Sequence, residues 1–154
     1  MALIEWTAQL EIGIPVIDGQ HHRIVDYIND LHVAEQSGDD ALTGRVIDDL
    51  IDYTYSHFAF EEALMEEAGY DALVIHKNTH QAFRDRVDAL KARFQRGESV
   101  AGELASLLQT WLIQHIMSDD TSYAGLVKQN MPRIEQQHSG NWLKAAIARF
   151  FKAD

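Results

Sequence analysis

The chain of 154 residues contains no cysteine. Disulfide bonds, thiolate zinc sites, iron–sulfur clusters and cysteine nucleophiles are therefore excluded. Proline, which breaks helices, is almost as scarce: it occurs only at Pro15 and Pro132, and residues 16–131 contain none. Alternating runs of β-branched residues, which are typical of strands, are also missing from the sequence. These absences favour an all-α domain, and the length suffices for one domain with a hydrophobic core.

Basic residues are scarce in most of the chain. Residues 1–126 carry 8 Lys and Arg against 22 Asp and Glu, a formal charge of −14, whereas residues 127–154 carry 5 against 2, a charge of +3. The acidic part lacks the basic surface that nucleic acid phosphates require, so nucleic acid is excluded as a partner. The N-terminal sequence does not resemble a signal peptide, and no stretch approaches the roughly 20 apolar residues of a membrane span. We expect a cytoplasmic protein.

Turn and capping residues divide the sequence into four long helices. Gly38, Gly69 and Gly97 are suited to helix C-termini. Asp39 or Asp40 is suited to the N-cap of the second helix, and Ser99 to that of the fourth. The predicted helices cover approximately residues 19–36, 39–69, 71–95 and 99–117. Because the connections are short, the expected fold is an up-down-up-down four-helix bundle.

The two ends of the chain are expected to differ from this bundle. Residues 1–17 are predicted to form an irregular arm, and the bundle domain is predicted to span residues 1–126. In the extension, residues 127–154, the sequence Asn-Met-Pro at 130–132 breaks the helical pattern before a short amphipathic helix. We expect its apolar face to dock on the bundle, although the opposite charge leaves a membrane surface or a partner protein as an alternative. The residues of that face are Leu143, Ile147 and Phe150.

Helical periodicity indicates which polar side chains face the core, since each residue turns about 100° around the axis. His76 and His80 head the apolar stripe of the third helix. His57 and Glu61 share the apolar face of the second, whereas Glu62 projects about 140° away and is expected to face water. The pattern therefore buries one glutamate of an adjacent pair.

The remaining histidines fall into two classes. His115 lines up with the apolar face of the fourth helix, and His21 with that of the first, whereas His22 is expected to face solvent. His32 shares the face of His21 but lies about 16 Å further along the axis, so it is expected to be structural. His138 is expected at the surface. Burying five histidines and a carboxylate without partners would be costly, and metal ions would satisfy them together.

Five imidazoles and one or two carboxylates exceed what one ion would take while keeping room for another ligand. The sequence therefore predicts two metal ions bridged by carboxylate. Iron suits this nitrogen-rich donor set, and manganese and zinc remain open on ligand type. The second carboxylate is Asp119 or Asp120. On an ideal helix Asp119 lies about 40° from His115 and Asp120 about 140°, so ideal geometry favours Asp119.

Four motifs together resemble the hemerythrins, specifically the bacterial single-domain members. The resemblance covers about residues 1–126 and implies a non-haem di-iron centre that binds O2 reversibly, with an oxo or hydroxo group between the two irons. The motifs are DGQH at 18–21, HFAFEE at 57–62, HKNTH at 76–80 and WLIQHIMSDD at 111–120.

The resemblance also implies roles for individual residues. It assigns three histidines to one iron: His76, His80 and His115. It assigns His21 and His57 to the second iron, which keeps a position open for O2, and it makes Glu61 and Asp120 the bridges. Asp120 can serve only if the helix widens or ends after His115. The apolar residues expected to line the O2 pocket are Phe58, Trp111, Leu112 and Ile116.

The expected function is oxygen storage, transport or delivery by a monomer that is not an enzyme. Ferritin-like di-iron proteins supply several glutamates, whereas this donor set is rich in imidazole. The alternatives are a di-iron oxidase or peroxidase, and a sensor of O2 or redox state that acts through a partner. Besides O2, the partners left open are an O2-consuming enzyme and a membrane surface, both reached through the C-terminal helix.

Overall fold

The computed structural model describes residues 4–137, 140 and 142–151. A short 3-10 turn, Ala8–Leu10, precedes the first helix, and a π-helical segment, His115–Asp120, joins the fourth helix to the fifth. No strand occurs in this part of the chain, so the all-α prediction is confirmed. The helices are α1 (Pro15–Ser37), α2 (Asp40–Ala68), α3 (Leu73–Gln95), α4 (Ala101–Gln114), α5 (Thr121–Gln137) and α6 (Trp142–Phe150).

The ends of the helices follow local chemistry in most cases. The side chain of Asp39 accepts a hydrogen bond of 3.0 Å from the backbone N–H of Leu42 and caps α2. Gly69 ends the same helix with a φ of 74°, in the left-handed region that glycine adopts at little cost. The cap predicted at Ser99 is wrong, because α4 begins after Val100 and no side chain caps it.

The first helix starts earlier than predicted. It begins at Pro15, whose fixed φ and missing N–H suit the first position of a helix. The irregular arm therefore ends at Ile14 instead of residue 17. Asp18 ties the arm to the helix, because its carboxylate accepts hydrogen bonds from the backbone N–H groups of Ile12 (2.8 Å) and Gly13 (3.1 Å).

The fourth helical rod is longer than predicted. Instead of ending near Met117, the chain stays helical through the π-helical segment and α5, and Pro132 lies inside α5. The turns after Pro132 are held by Ile134, which is fully buried, and by Arg133, whose guanidinium donates to the backbone oxygen of Glu67 (2.8 Å). The predicted boundary between residues 126 and 127 falls within α5, so the division into two parts stays a prediction.

Packing places α1 against α2 and α4, and α2 against α3 and α5. The fourth rod of the bundle consists of α4, the π-helical segment and α5, which agrees with a four-helix bundle. Among the described residues, no helix is both long and apolar enough to span a membrane.

The C-terminal helix α6 packs on α2 and α5. Trp142 and Ala146 are buried, and the ring of Trp142 lies 5.8 Å from that of Phe60. Ile147 is 42% exposed, so its predicted place on the docking face is wrong. The helix docks through a face turned toward Trp142, which leaves Ile147 at its edge.

Candidate metal centre

The histidines and carboxylates predicted to bind metal converge in one layer of the bundle, where all of them are buried. They form two groups, and within each group the candidate ligand atoms lie within 4.8 Å of one another. The first group consists of Glu61, His76, His80 and His115. The second group consists of His21, His57, Glu61 and Asp120.

Glu61 belongs to both groups because its two carboxylate oxygens point in different directions. Oε1 lies 2.7 Å from Nε2 of His76 and 3.1 Å from Nε2 of His80. Oε2 lies 3.4 Å from Nε2 of His57. One carboxylate therefore offers one oxygen to each group.

Asp120 repeats this arrangement from the opposite side. Its Oδ2 lies 2.9 Å from Nε2 of His21, and its Oδ1 lies 3.1 Å from Nε2 of His115. A π-helical turn hydrogen-bonds residue i to i+5, so it brings a residue five positions after His115 onto the inner face. Asp120 is consequently buried, whereas the side chain of Asp119 is 39% exposed. The ideal-helix preference for Asp119 fails because this segment is not an α-helix.

The donor atoms fit a pair of cations. Nε2 of His21, Nε2 of His57 and both oxygens of Asp120 are buried without a hydrogen-bond partner among the described residues. Yet Nε2 of His21 is only 2.9 Å from Asp120. Ligands that bind one ion at about 2.1 Å and at right angles are about 3.0 Å apart. Short distances without hydrogen-bond geometry are therefore expected of atoms aimed at a common centre, and the nitrogen-rich set suits non-haem iron.

A second layer of hydrogen bonds orients three of the imidazoles. In each case Nδ1–H donates to a side-chain oxygen, which leaves Nε2 as the free donor atom for metal. Glu62, expected to face water, instead has a side chain only 15% exposed. The pairs are His57 with Gln20 (2.7 Å), His80 with Glu62 (2.9 Å) and His115 with Asp119 (2.9 Å).

Periodicity did not identify these acceptors, because it indicates which way a side chain faces but not which atoms that side chain contacts. A usable signal exists in the sequence. Each acceptor is the immediate neighbour of a residue that points into the centre: Gln20 precedes His21, Glu62 follows Glu61, and Asp119 precedes Asp120.

Tyr123 is a further residue that the sequence analysis missed. Its side chain is fully buried, and its hydroxyl donates a hydrogen bond of 2.8 Å to Oε2 of Glu61. It lies three residues after Asp120, one helical turn further along the inner face. Burial and the charge of Glu61 raise the pKa of this phenol well above its ordinary value, so it keeps its proton and remains a donor.

Aromatic rings cover one side of the centre. The ring of Phe58 stacks on His80 with centroids 3.9 Å apart, and the ring of Trp111 stacks on His115 at 4.3 Å. Leu112 and Ile116 are buried, whereas Trp111 is half-buried. The two aromatic rings therefore lie against histidines of the first group.

In the metal-free protein, the charges of the surrounding groups favour protonated histidines at the places where cations would bind. Burial, the largest effect, would lower the pKa of His76, but its hydrogen bonds to Asp120 and Glu61 raise this pKa to about 9. The pKa of His115 is also raised well above its ordinary value, because Asp120 outweighs burial. Neighbouring histidines lower the pKa of both Glu61 and Asp120 despite burial. Burial lowers the pKa of His57, which stays neutral.

The other histidines lie outside both groups. The side chain of His22 is 51% exposed and its ring stacks on Trp6 at 4.9 Å, which agrees with its expected outward position. His32 is half-buried and contacts the side chain of Gln36 (3.3 Å). His138 lies outside the described residues.

Comparison with known proteins accounts for this arrangement. Residues 12–127 match the family described as Hemerythrin HHE cation binding domain. The chain belongs to the hemerythrin family. It is 49% identical to a bacteriohemerythrin of Stenotrophomonas maltophilia (strain R551-3) over 152 residues, which cover 98% of this chain and 99% of the relative. A bacteriohemerythrin of Pseudomonas aeruginosa (strain LESB58) is 47% identical over 152 residues, with the same coverage.

Solved hemerythrin structures support the fold. A wild-type hemerythrin crystal structure superposes with a TM-score of 0.78 at 32% sequence identity. The aligned region covers 82% of this chain and 98% of the hemerythrin chain. The two bacteriohemerythrins align over almost the whole sequence, so their similarity extends into residues 127–154. The family is known for O2 binding at a di-iron site, and both groups of this chain could hold metal.

Proposed function

We propose that this hemerythrin-family protein binds O2 reversibly at a non-haem di-iron centre and serves in oxygen storage, transport or delivery, without acting as an enzyme. One observation carries the proposal. Glu61 and Asp120 each direct one oxygen to the first group of histidines and one to the second. Two carboxylates that bridge in this way define two adjacent metal positions.

The donor count makes these positions unequal. The first would take three histidines and an oxygen from each bridge, and the second only His21, His57 and the same two bridges. If a solvent-derived oxygen also bridges, the first position is full and the second keeps one place free. An open place beside a saturated one is what binding a small ligand requires.

When bound, a pair of ferrous ions supplies two electrons to O2 and recovers them on release. The chain supplies the environment. Neutral imidazoles favour the ferrous state over higher oxidation states, and Tyr123 holds its proton toward Oε2 of Glu61 and so fixes the orientation of that bridge. Phe58 is buried against His80 and excludes water from that side of the centre.

The first test is metal content and reversible colour. Protein produced with ample iron should contain about two irons per chain, because both groups provide complete donor sets. The ferrous protein should gain visible absorption in air and lose it under vacuum through repeated cycles. A single tightly bound zinc would contradict the proposal. Irreversible oxidation with steady turnover of a substrate would favour an oxidase instead.

An adjacent pair of aspartates provides a matched control for this test. Asp120→Ala removes a proposed bridge and should abolish reversible oxygenation. Asp119→Ala removes only the acceptor behind His115 and should keep both irons, with weaker binding. The assignment of the bridge is wrong if the two variants exchange these behaviours.

A further inference from the structure

The two groups of candidate ligands differ in the hydrogen-bond acceptors that contact Nδ1 of their histidines. In the first group, Nδ1–H of His80 donates to the carboxylate of Glu62, and Nδ1–H of His115 donates to the carboxylate of Asp119. In the second group, Nδ1–H of His57 donates to the neutral amide of Gln20. Nδ1 of His21 is buried without a hydrogen-bond partner among the described residues. Anionic acceptors thus occur behind the first group.

This difference has an electronic consequence. A carboxylate that accepts a hydrogen bond from an imidazole draws the proton toward itself and makes the other nitrogen a more basic ligand. A more basic ligand stabilises the higher charge of an oxidised metal. A neutral amide does this less, and an unpartnered nitrogen does not do it at all.

The geometry indicates that the carboxylate of Glu62 is held in place. Oε2 of Glu62 lies 3.6 Å from a guanidinium nitrogen of Arg84, whose carbon atom Cζ lies 5.4 Å above the centroid of the Phe58 ring. That arrangement fixes the carboxylate beside His80. The side chain of Gln20 is equally constrained, because the residue is buried and 2.7 Å from its histidine.

We propose that Glu62 and Asp119 lower the reduction potential of the metal position in the first group relative to the second. The inference rests on the proposed di-iron function and assigns separate roles to the two positions. The iron of the first group loses its electron more readily. The iron of the second group, which has the open place, stays ferrous longer. A one-electron oxidant such as ferricyanide therefore removes the first electron from the first group and is itself reduced to ferrocyanide.

The test compares two near-isosteric substitutions of opposite sign. Glu62→Gln keeps an acceptor behind His80 but removes its charge, and Gln20→Glu adds a charge behind His57. The measurement is a redox titration of the iron-loaded protein that resolves both one-electron steps, with electron paramagnetic resonance of the half-oxidised form. Each substitution should bring the two reduction potentials closer. The equilibrium constant for forming the half-oxidised protein from its fully reduced and fully oxidised forms should fall by about tenfold.

Controls separate this electronic role from a structural one. Glu66→Gln makes the same change of charge one turn along α2 on an exposed side chain, and it should leave the separation of the potentials unchanged. Asp119→Asn repeats the test behind His115 if Glu62→Gln fails to fold. A role limited to orienting the rings would alter iron content and leave the potentials of the loaded protein unchanged.

The outcomes distinguish the inference from the function on which it rests. If the unaltered protein fails to hold two irons or to oxygenate reversibly, the proposed function fails. If it does both, but Glu62→Gln shifts the potentials no more than Glu66→Gln, only the inference is overturned. The inference is also overturned if Gln20→Glu widens the separation of the two potentials.

Discussion

In one layer of the bundle the four rods bury five histidines and two carboxylates, whereas some ten residues away on each rod they bury Leu31, Leu50, Leu90 and Leu104. The leucine layer is stabilised by removing apolar surface from water, at roughly 25 cal/mol for each Å². The histidine layer gains little from such burial, because its polar atoms lose water and several find no hydrogen-bond partner among the described residues. The leucine layer is therefore stabilised by its own packing, whereas a bound cation would stabilise the histidine layer.

The largest expected effect is that of metal on stability. Each occupied position should add about 4 kcal/mol to the free energy of unfolding when free metal exceeds its dissociation constant by about 1,000-fold. His76, with a pKa of about 9, and His115, with a raised pKa, carry protons at neutral pH and must lose them to bind metal. These two histidines should therefore release about two protons per chain on loading at pH 7.

The pH dependence of this effect has a definite sign. Because its folded pKa is raised, protonated His76 stabilises the metal-free protein fully below about pH 6.5, its unfolded pKa. That stabilisation is lost as the pH rises toward 9. The stability difference between loaded and metal-free protein should therefore widen between these values. Anaerobic denaturant titrations of both forms, with a pH indicator during loading, would measure it, and a constant difference would contradict the proton assignment.

The next effect separates the two layers by a core substitution. Leu50→Ala should cost about 2 to 5 kcal/mol of unfolding free energy, because a fully buried leucine leaves a cavity. Iron content should stay unchanged, since the cavity lies two turns from His57. Val33→Ala, at a side chain 61% exposed, is the control and should cost less than about 0.5 kcal/mol. Loss of iron in Leu50→Ala would show that the two layers are coupled.

A smaller effect is expected from removing α6. Truncation after Gln137 should lower the unfolding free energy by about 1 to 3 kcal/mol, because the buried contacts of Trp142 and Ala146 are lost. The loss is partly offset, since the truncated chain no longer bears the entropy cost of ordering a short helix. A cut at residue 132 would also remove buried Ile134 and would confuse the result. Both irons should remain. Unchanged stability together with lost binding to membranes or a partner would instead support a docking role for the helix.

The smallest effect concerns adjacent histidines of α1. His22→Ala should change the unfolding free energy by less than about 0.5 kcal/mol and leave both irons in place, because its half-exposed side chain stacks on Trp6 and lies 3.9 Å from the equally exposed carboxylate of Asp26. His21→Ala should lose the iron of the second group. Iron analysis and thermal unfolding of the two variants would decide between these positions.

Periodicity predicted which side chains face the centre in most cases, because the candidate ligands lie on regular helices. The choice of His21 over His22, and the burial of Glu61, follow from an advance of about 100° per residue. Asp120 could not be predicted in this way, since its place depends on a π-helical segment that breaks the period. Only the family resemblance suggested it.

The remaining errors also have physical reasons. Proline predicts a break within α5, but burial of Ile134 just beyond it keeps the chain helical. The ideal helix predicts that Glu62 faces water, because one helix alone cannot show that His80 approaches it from a neighbouring helix. Tertiary contacts decided both cases, and a single helix pattern contains no information about them.

The π-helical segment has a consequence for insertions and deletions in this chain. A π-helical turn holds about one residue more than an α-helical turn, so deleting Met117 or Ser118 would restore ordinary winding. The former Asp120 would then follow His115 by four residues, which an α-helix brings to about 40° from His115, so Asp120, Tyr123 and Val127 would keep their inward positions. If the segment instead became α-helical with all its residues retained, every later residue would rotate by about 100° and slide by about 1.5 Å relative to α4, and Tyr123 and Val127 would leave the core. The π-helical turn therefore absorbs one surplus residue and sets the angular phase of the proposed bridge, the tyrosine and the C-terminal part of the rod.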